Sequence, residues 1–340
     1  MRIKIPDASE EELYLNAWKM AQADSPWSRY SGPFAPNLKD ELDATRAVLH
    51  DPTSKCWIAV DDGNVAGVLA CRKDNELAWL GSSDREPAVL PDYRQTITGI
   101  KLLDTAFEWS IGEGLAGVFA PLKLLPESDP KAQWHVKLYF QWGMTLTRLV
   151  VEYGTRIHKT ERYANPQVRF KQARDVGLNR LCDIILRSFE STRAFEYDPL
   201  VHDPPEVRSS LSEIQNSEGM LVAYLGEEAV GFALVRTPTA NDRAYGHIAA
   251  IGTLPEHRGK KIGTSLLQKA HNYIIENGYE YSFVGTSENN LPSRALYGKM
   301  GYEPVYRILK FVKVTRAINI SRDLVSHDFN DLRPLEWPQA

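Results

Sequence analysis

The chain repeats itself. Leu90-Pro91-Asp92-Tyr93-Arg94, followed by Gly99, Leu102 and Leu103, returns as Leu254-Pro255-Glu256-His257-Arg258, followed by Gly263, Leu266 and Leu267, at an offset of 254 − 90 = 164. The same offset pairs Trp57-Ile58-Ala59-Val60 with Leu221-Val222-Ala223-Tyr224, Gly67 with Gly231, Arg72 with Arg236, and Gly114 with Gly278. Leu138-Tyr139 and Gly143 then echo Leu296-Tyr297 and Gly301, where the offset falls to 297 − 139 = 158. The first copy therefore carries 164 − 158 = 6 extra residues, placed in LKLLPESDPKAQW. Repetition in register over this distance restricts the chain to two copies of one α/β unit.

The second copy holds the stretch with the most chemistry. An apolar run, His247 to Thr253, is followed by a short loop, Leu254 to Lys261, and a periodic segment, Ile262 to Glu276. Leu266, Leu267, Ala270, Ile274 and Ile275 recur at helical spacing, and Asn277-Gly278 supplies the stop. The order is buried strand, basic Gly-containing loop, helix. A helix opening on such a loop presents unpaired N–H groups at the positive end of its dipole, which is a seat for a phosphate or pyrophosphate. Arg258, Lys260 and Lys261 add cationic charge beside it.

Arg258, Ile262 and Gly263 fit the loop motif Arg/Gln-x-x-Gly-x-Gly/Ala, and Lys261 stands where its first glycine usually falls. Asn290, Ser293, Ala295, Leu296, Tyr297, Gly301 and Tyr302 fit Asn-x-x-Ala/Ser-x-x-Leu-Tyr-x-x-x-Gly-Phe/Tyr. In this order the two motifs resemble the GNAT N-acetyltransferase superfamily. The resemblance implies an α/β fold of two tandem GNAT-like domains, each a mixed, mostly antiparallel central sheet flanked by helices. It also implies acetyl-CoA as co-substrate and no metal.

On that resemblance, Gly259, Lys260, Lys261, Ile262, Gly263 and Thr264 hold the pyrophosphate through backbone amides, with Arg258 beside them. The backbone of Ile251, Gly252 and Thr253 pairs with the acetyl group and pantetheine arm, and Ile251 N–H is the oxyanion donor. Tyr297 resembles the general acid that protonates the departing sulfur; the competing reading is a core tyrosine. Asn290, with Ser293, bonds the pantetheine or caps the following helix. His247 lies four residues before Ile251, an even spacing that keeps both side chains on one face of a strand. It stands where several superfamily members carry a glutamate base, and histidine is the side chain whose unperturbed titration lies nearest neutrality; a hydrogen-bonded core histidine is the alternative. Tyr245 and Glu288 are further candidates for the base.

The first copy has diverged. Pro87 falls where Ile251 lies, Ser83 replaces His247, and Arg94 to Gly99 carries one charge where its counterpart carries three. Seven of the eight tryptophans lie in this half (Trp18, Trp27, Trp57, Trp79, Trp109, Trp134 and Trp142), and core packing is the expected role of most. The division expected is a degenerate domain over 1–160, a linker at Tyr163 to Pro166, a catalytic domain over 167–315 and an extension over 316–340. The acidic stretch between Phe189 and Val207 is either a solvated loop or an attractor for a cationic amine.

The net charge of −4 argues against a nucleic-acid footprint, and no apolar run is long enough to span a membrane. Three scattered cysteines, with no metal spacing, suit a reduced, cytoplasmic protein. The expected activity is acetyl transfer to a primary amine of a small molecule, by a monomer or homodimer. An amine-bearing antibiotic is one candidate acceptor. Acetylation of a protein or peptide amine and non-catalytic CoA binding are the alternatives.

Overall fold

The computed structural model describes residues 1–25, 33–34, 38–74, 76–81, 86–125, 129–190, 216–237 and 245–316. Trp27, the acidic stretch up to Val207 and the extension beyond 316 lie outside the described residues. The first repeat runs β1 (Arg2–Lys4), α1 (Glu11–Gln22), α2 (Leu38–His50), β2 (Ser54–Asp61), β3 (Asn64–Asp74), β4 (Leu77–Leu80), β5 (Ala88–Val89), α3 (Thr98–Gly112), β6 (Gly117–Leu124), α4 (Pro130–Gln141) and β7 (Thr145–Arg156). The second runs β8 (Val168–Gln172), α5 (Leu178–Glu190), β9 (Met220–Leu225), β10 (Glu228–Arg236), β11 (Tyr245–Thr253), α6 (Ile262–Glu276), β12 (Tyr281–Ser287), α7 (Leu291–Lys299) and β13 (Glu303–Val314).

The compact units do not follow the linker expected at 163–166. Unit 1 is Met1–Leu149 with the strand residues from Tyr306 onward; unit 2 is Val150–Val305. In unit 1, β2, β3, β4 and β6 follow β1, and β13 completes the sheet by pairing Arg307–Val314 antiparallel with β6. In unit 2, β8 to β12 lie in sequence order, and β7 completes the sheet, with Val150 opposite Ser287 and Arg156 opposite Tyr281. The last strand of each repeat thus finishes the other unit's sheet. Both sheets are antiparallel except for one pair each, β4 with β6 and β11 with β12.

Backbone detail confirms the duplication. α3 and α6 end alike, with Gly114 and Gly278 in the left-handed region at φ +78° and +89°. Leu115 N–H donates to Ser110 O, and Tyr279 N–H to Ile274 O, the six-to-one bond of a Schellman stop. α4 and α7 close the same way at Gly143 and Gly301, through Met144 to Tyr139 and Tyr302 to Tyr297. The extra residues of the first copy lengthen α4 to 12 residues against 9 in α7, and they carry Asp129 and Lys131.

The core of unit 1 packs α3 and α4 on one face of its sheet, through Leu102, Leu103, Ala106, Leu138 and Tyr139. It packs α1 and α2 on the other, through Tyr14, Ala17, Trp18 and Val48. Trp18, Trp57 and Trp142 are buried, and Trp79, Trp109 and Trp134 pack partly buried beside them, as core packing requires. In unit 2, α5 covers one face through Leu181, Ile184 and Ile185, and α6 and α7 cover the other through Leu267, Ile274 and Tyr297, with Tyr302 just past α7.

Unit 1 also buries charge. Glu86 accepts from Trp18 Nε1 at 3.0 Å and from Ala88 N–H at 3.1 Å. Lys131 is fully buried and donates to Gln22 Oε1, Ser25 Oγ donates to Asp129 Oδ2 at 2.9 Å, and Tyr139 OH donates to Glu86 O. Burial pushes the Glu86 carboxyl up to about 8, with Lys131 pulling the other way. A carboxyl raised on folding binds its proton more tightly in the folded chain. Its contribution to stability is complete at low pH and is lost as pH rises through the raised value. Between about pH 5 and about pH 8 the wild-type melting temperature should therefore fall more steeply than that of Glu86→Gln. Parallel thermal melts of the two proteins would show this; equal slopes would remove Glu86 as the cause.

Candidate active site

The site of unit 2 begins where two parallel strands part. β11 pairs with β12 only from Tyr245 opposite Tyr281 to Ile248 opposite Val284. On its other side β11 follows β10, with Val235 opposite Ile248 but Leu234 opposite Ala250, so Ala249 is an extra residue. Leu254 N–H donates to Val230 O at 2.9 Å. Hydrogen-bonded pairs alternate along an antiparallel ladder, so Ala250, Gly252 and Leu254 bond toward β10. Ile251 and Thr253 aim their backbone groups the other way, into the fork that β12 has left.

The extra residue corrects the spacing argument for His247. Ile248 is buried, and Ile251 packs, on the side of α6 and α7, whereas Ala249 and Ala250 pack with α5. The bulge switches the alternation, so His247 and Ile251 point to opposite faces of the sheet. His247 lies opposite Phe283 in register, with ring centroids 5.7 Å apart, and Tyr245 lies 4.9 Å from the same ring.

Beyond the fork the chain makes a 3-10 turn, Pro255–His257, and enters α6. Gly259 and Lys261 both take the left-handed conformation, at φ +78° and +60°. For Lys261 that costs about 1–2 kcal/mol, which accounts for glycine at this place in the motif. Among the described residues, no acceptor meets the backbone N–H of Gly259, Lys260, Lys261, Ile262, Gly263 or Thr264. The first intrahelical bond is Ser265 N–H to Lys261 O. Six amides are thus unclaimed at or just before the positive end of a 15-residue helix.

The loop is held from behind. Arg258 donates to Ser188 O at 3.0 Å, closing the C-terminal turn of α5. Lys260 Nζ donates to His257 Nδ1 at 3.3 Å, and His257 Nε2 lies 3.2 Å from Glu228 Oε2. Glu228, Glu256 and His257 bring three potential ligand atoms within 4.8 Å, but Arg187 and Lys260 already engage this group. The segment before β8 is strapped along α6. Thr160, Ala164 and Asn165 donate their N–H groups to Asn272, Gln268 and Ser265 at 2.8, 2.7 and 2.9 Å. Asn165 Nδ2 then donates to Lys260 O at 2.9 Å, and its Oδ1 accepts from Gln167 N–H.

On α7, Asn290 is a cap. Its Oδ1 accepts from Ser293 N–H at 3.3 Å, and its Nδ2 donates to Thr286 Oγ1 at 3.1 Å. Tyr297 is buried among Val151, Tyr153, Ile248 and Val284, with Ile251 packed against the same cluster. Its ring centroid lies 5.7 Å from that of Tyr153. Burial and the Glu152 charge push its phenol well above the usual range, while Ser293 opposes them. Glu288 offers its carbonyl to Arg294, which also donates to Tyr153 OH at 3.1 Å. Tyr153 and Glu152 belong to the first repeat's last strand, so no motif in the second repeat points to them.

The matching place in unit 1 is filled. Arg94, the counterpart of Arg258, is turned inward onto Asp24, Ala21 O and Val89 O. Thr96 Oγ1 accepts from Thr98 N–H, and Trp134 Nε1 donates to Arg94 O at 2.7 Å. A Cβ on Gly99 would meet Leu138 at 2.9 Å and Trp134 at 3.2 Å. No helix in either unit's described residues is long and apolar enough to cross a membrane.

Acetyltransferases share this architecture. A crystal structure of a GCN5-related N-acetyltransferase from Sphaerobacter thermophilus superposes with a TM-score of 0.67 at 15% identity, covering 94% of this chain and 98% of that one. A tandem GNAT protein from the clavulanic acid biosynthesis pathway superposes at 0.57 and 16% identity, covering 93% and 100%. By sequence, the N-acetyltransferase YobR of Bacillus subtilis is 37% identical over 68 residues, 19% of this chain and 28% of that protein. The acetyl transferase GW6a of Oryza sativa is 33% identical over 102 residues, 26% of this chain and 24% of that protein. The chain thus spans about a quarter of the length of these two relatives. The acetyltransferase (GNAT) family matches twice, over residues 16–129 and 178–302, once in each repeat, and this chain belongs to that family.

Proposed function

We propose that unit 2 transfers an acetyl group from acetyl-CoA to a primary amine of a small molecule, and that the first copy has given up donor binding. The observation that carries this reading is the set of six unclaimed amides at the start of α6, beside a fork into which Ile251 N–H points. The pyrophosphate of a coenzyme suits the amides, and the thioester carbonyl, reaching along the fork, suits Ile251 N–H. The tandem protein of clavulanic acid biosynthesis supports an acceptor from the chemistry of secondary metabolites, amine-bearing antibiotics included.

The acceptor ammonium gives one proton to His247, directly or through water, and its nitrogen attacks the thioester carbonyl. Ile251 N–H steadies the oxyanion as the C–N bond forms. The C–S bond breaks as Tyr297 protonates the departing sulfur, and the second nitrogen proton returns to Tyr297. The products are the amide, the free thiol and one released proton. Burial keeps the Tyr297 phenol protonated until the thiolate is formed beside it.

Incubation with acetyl-CoA and a panel of primary amines should give products heavier by one acetyl group, with stoichiometric thiol release. Tyr297→Phe should lower kcat about 10²-fold or more while leaving calorimetric CoA affinity unchanged. Turnover equal to wild type would remove the assigned acid. Asn165→Asp keeps the acceptor for Gln167 but loses the donor to Lys260 O, so it should loosen the loop. Its KM for acetyl-CoA should rise about three- to tenfold, the loss expected for one orienting hydrogen bond, with the amine KM unmoved.

A further inference from the structure

We propose that Glu152 is a specificity-determining residue of unit 2: it holds the ammonium of a cationic acceptor at the fork, on the face that carries His247. The inference deepens the acetyltransferase reading above and rests on it. The carboxylate is placed by register. Glu152 stands opposite Gly285 on β12, one residue past Val284, where β11 and β12 cease to pair. Val151 and Tyr153 face α6 and α7, so Glu152 between them faces the other way. Phe283 and His247 share that face, one step back along the two neighbouring strands. Two strand spacings and two residues separate Glu152 from His247, about 12 Å between Cα atoms. Two long side chains can close that distance around one amine.

Gly285 shapes the arrangement. Both oxygens of Glu152 lie 2.6 Å from the place where a Cβ on Gly285 would sit. The carboxylate is therefore folded down over the β12 backbone at the fork, and any side chain at 285 would displace it. The other unit supplies an internal comparison. By the repeat offsets, Glu152 corresponds to Lys310 and Gly285 to Pro121, and Lys310 stands opposite Pro121 in unit 1. The copy with the open amide loop has a carboxylate over a glycine; the copy with the filled loop has a cation opposite a proline. A carboxylate has about four lone-pair sites, so it can accept an ammonium in addition to its protein partners. Its charge would attract an amine without an adjacent carboxylate and repel an amino acid.

Glu152→Gln preserves shape and removes the charge. Steady-state kinetics would compare an alkyl diamine, an amino sugar and glycine as acceptors for wild type and variant. Wild type should prefer the diamine and amino sugar over glycine. The variant should raise the KM for the two cationic acceptors about tenfold or more, change kcat less, and narrow the preference. Calorimetric affinity for CoA should stay the same, and Glu152→Asp should recover part of the loss. An unchanged amine KM in Glu152→Gln, or a parallel loss of CoA affinity, would overturn the proposal while leaving the transferase reading intact. Absence of acetyl transfer by wild type to every amine would instead overturn that reading, and this inference with it.

Discussion

The site depends on a ladder that stops. After Ile248 and Val284 the parallel strands share no further pairs, and the single extra residue Ala249 sits at that point. A continuous ladder would have consumed Ile251 N–H in the sheet, because buried amides are seldom left unpaired. The bulge instead turns two backbone positions into a donor edge. The same parting leaves Gly285 beyond the end of the β11 ladder, with the Glu152 carboxylate lying over it. In unit 1 the corresponding strand is broken into β4 and β5, and β4 meets β6 over only two register pairs, at Ala78 and Trp79.

The two copies build the same strand–loop–helix turn and furnish it differently. The 3-10 turns, the glycine stops and the Gly–Leu approach of Gly99 to Leu138 recur as Gly263 to Leu296. What differs is the filling. A threonine hydroxyl and an indole occupy the first loop, whereas the inward arginine is common to both, Arg94 reaching Ala21 O and Arg258 reaching Ser188 O. Residues of the insertion, Asp129 and Lys131, enter a buried polar cluster with Ser25 and Gln22. Such a cluster is a costly way to fill space unless its members satisfy one another, which is why so many contacts run between them.

The sequence displays what is encoded locally. The helix of residues 262–276 and its glycine stop depend on neighbours a few residues away, and the structure has them in place. Capping decides Asn290 for the same reason. Parity along β11 is different: the position of an extra residue is set by pairing with β10, so an even spacing from His247 to Ile251 carried no information about facing. Glu152 was hidden more deeply, because its strand is covalently part of one repeat and hydrogen-bonded into the sheet of the other. Only the offset that equates it with Lys310 could have drawn attention to it.

The traded terminal strands have a consequence for how the protein is made. In unit 1, β6 pairs with β4 on one side but lacks its other neighbour until residues 307–314 leave the ribosome. All the residues between β6 and β13 must be synthesised while that edge waits, and an open strand edge is a template for wrong partners. Separating the gene at the repeat junction would leave each half with a surplus strand and a missing one. The duplication thus survives as a single folding commitment, in which each copy is finished by the other.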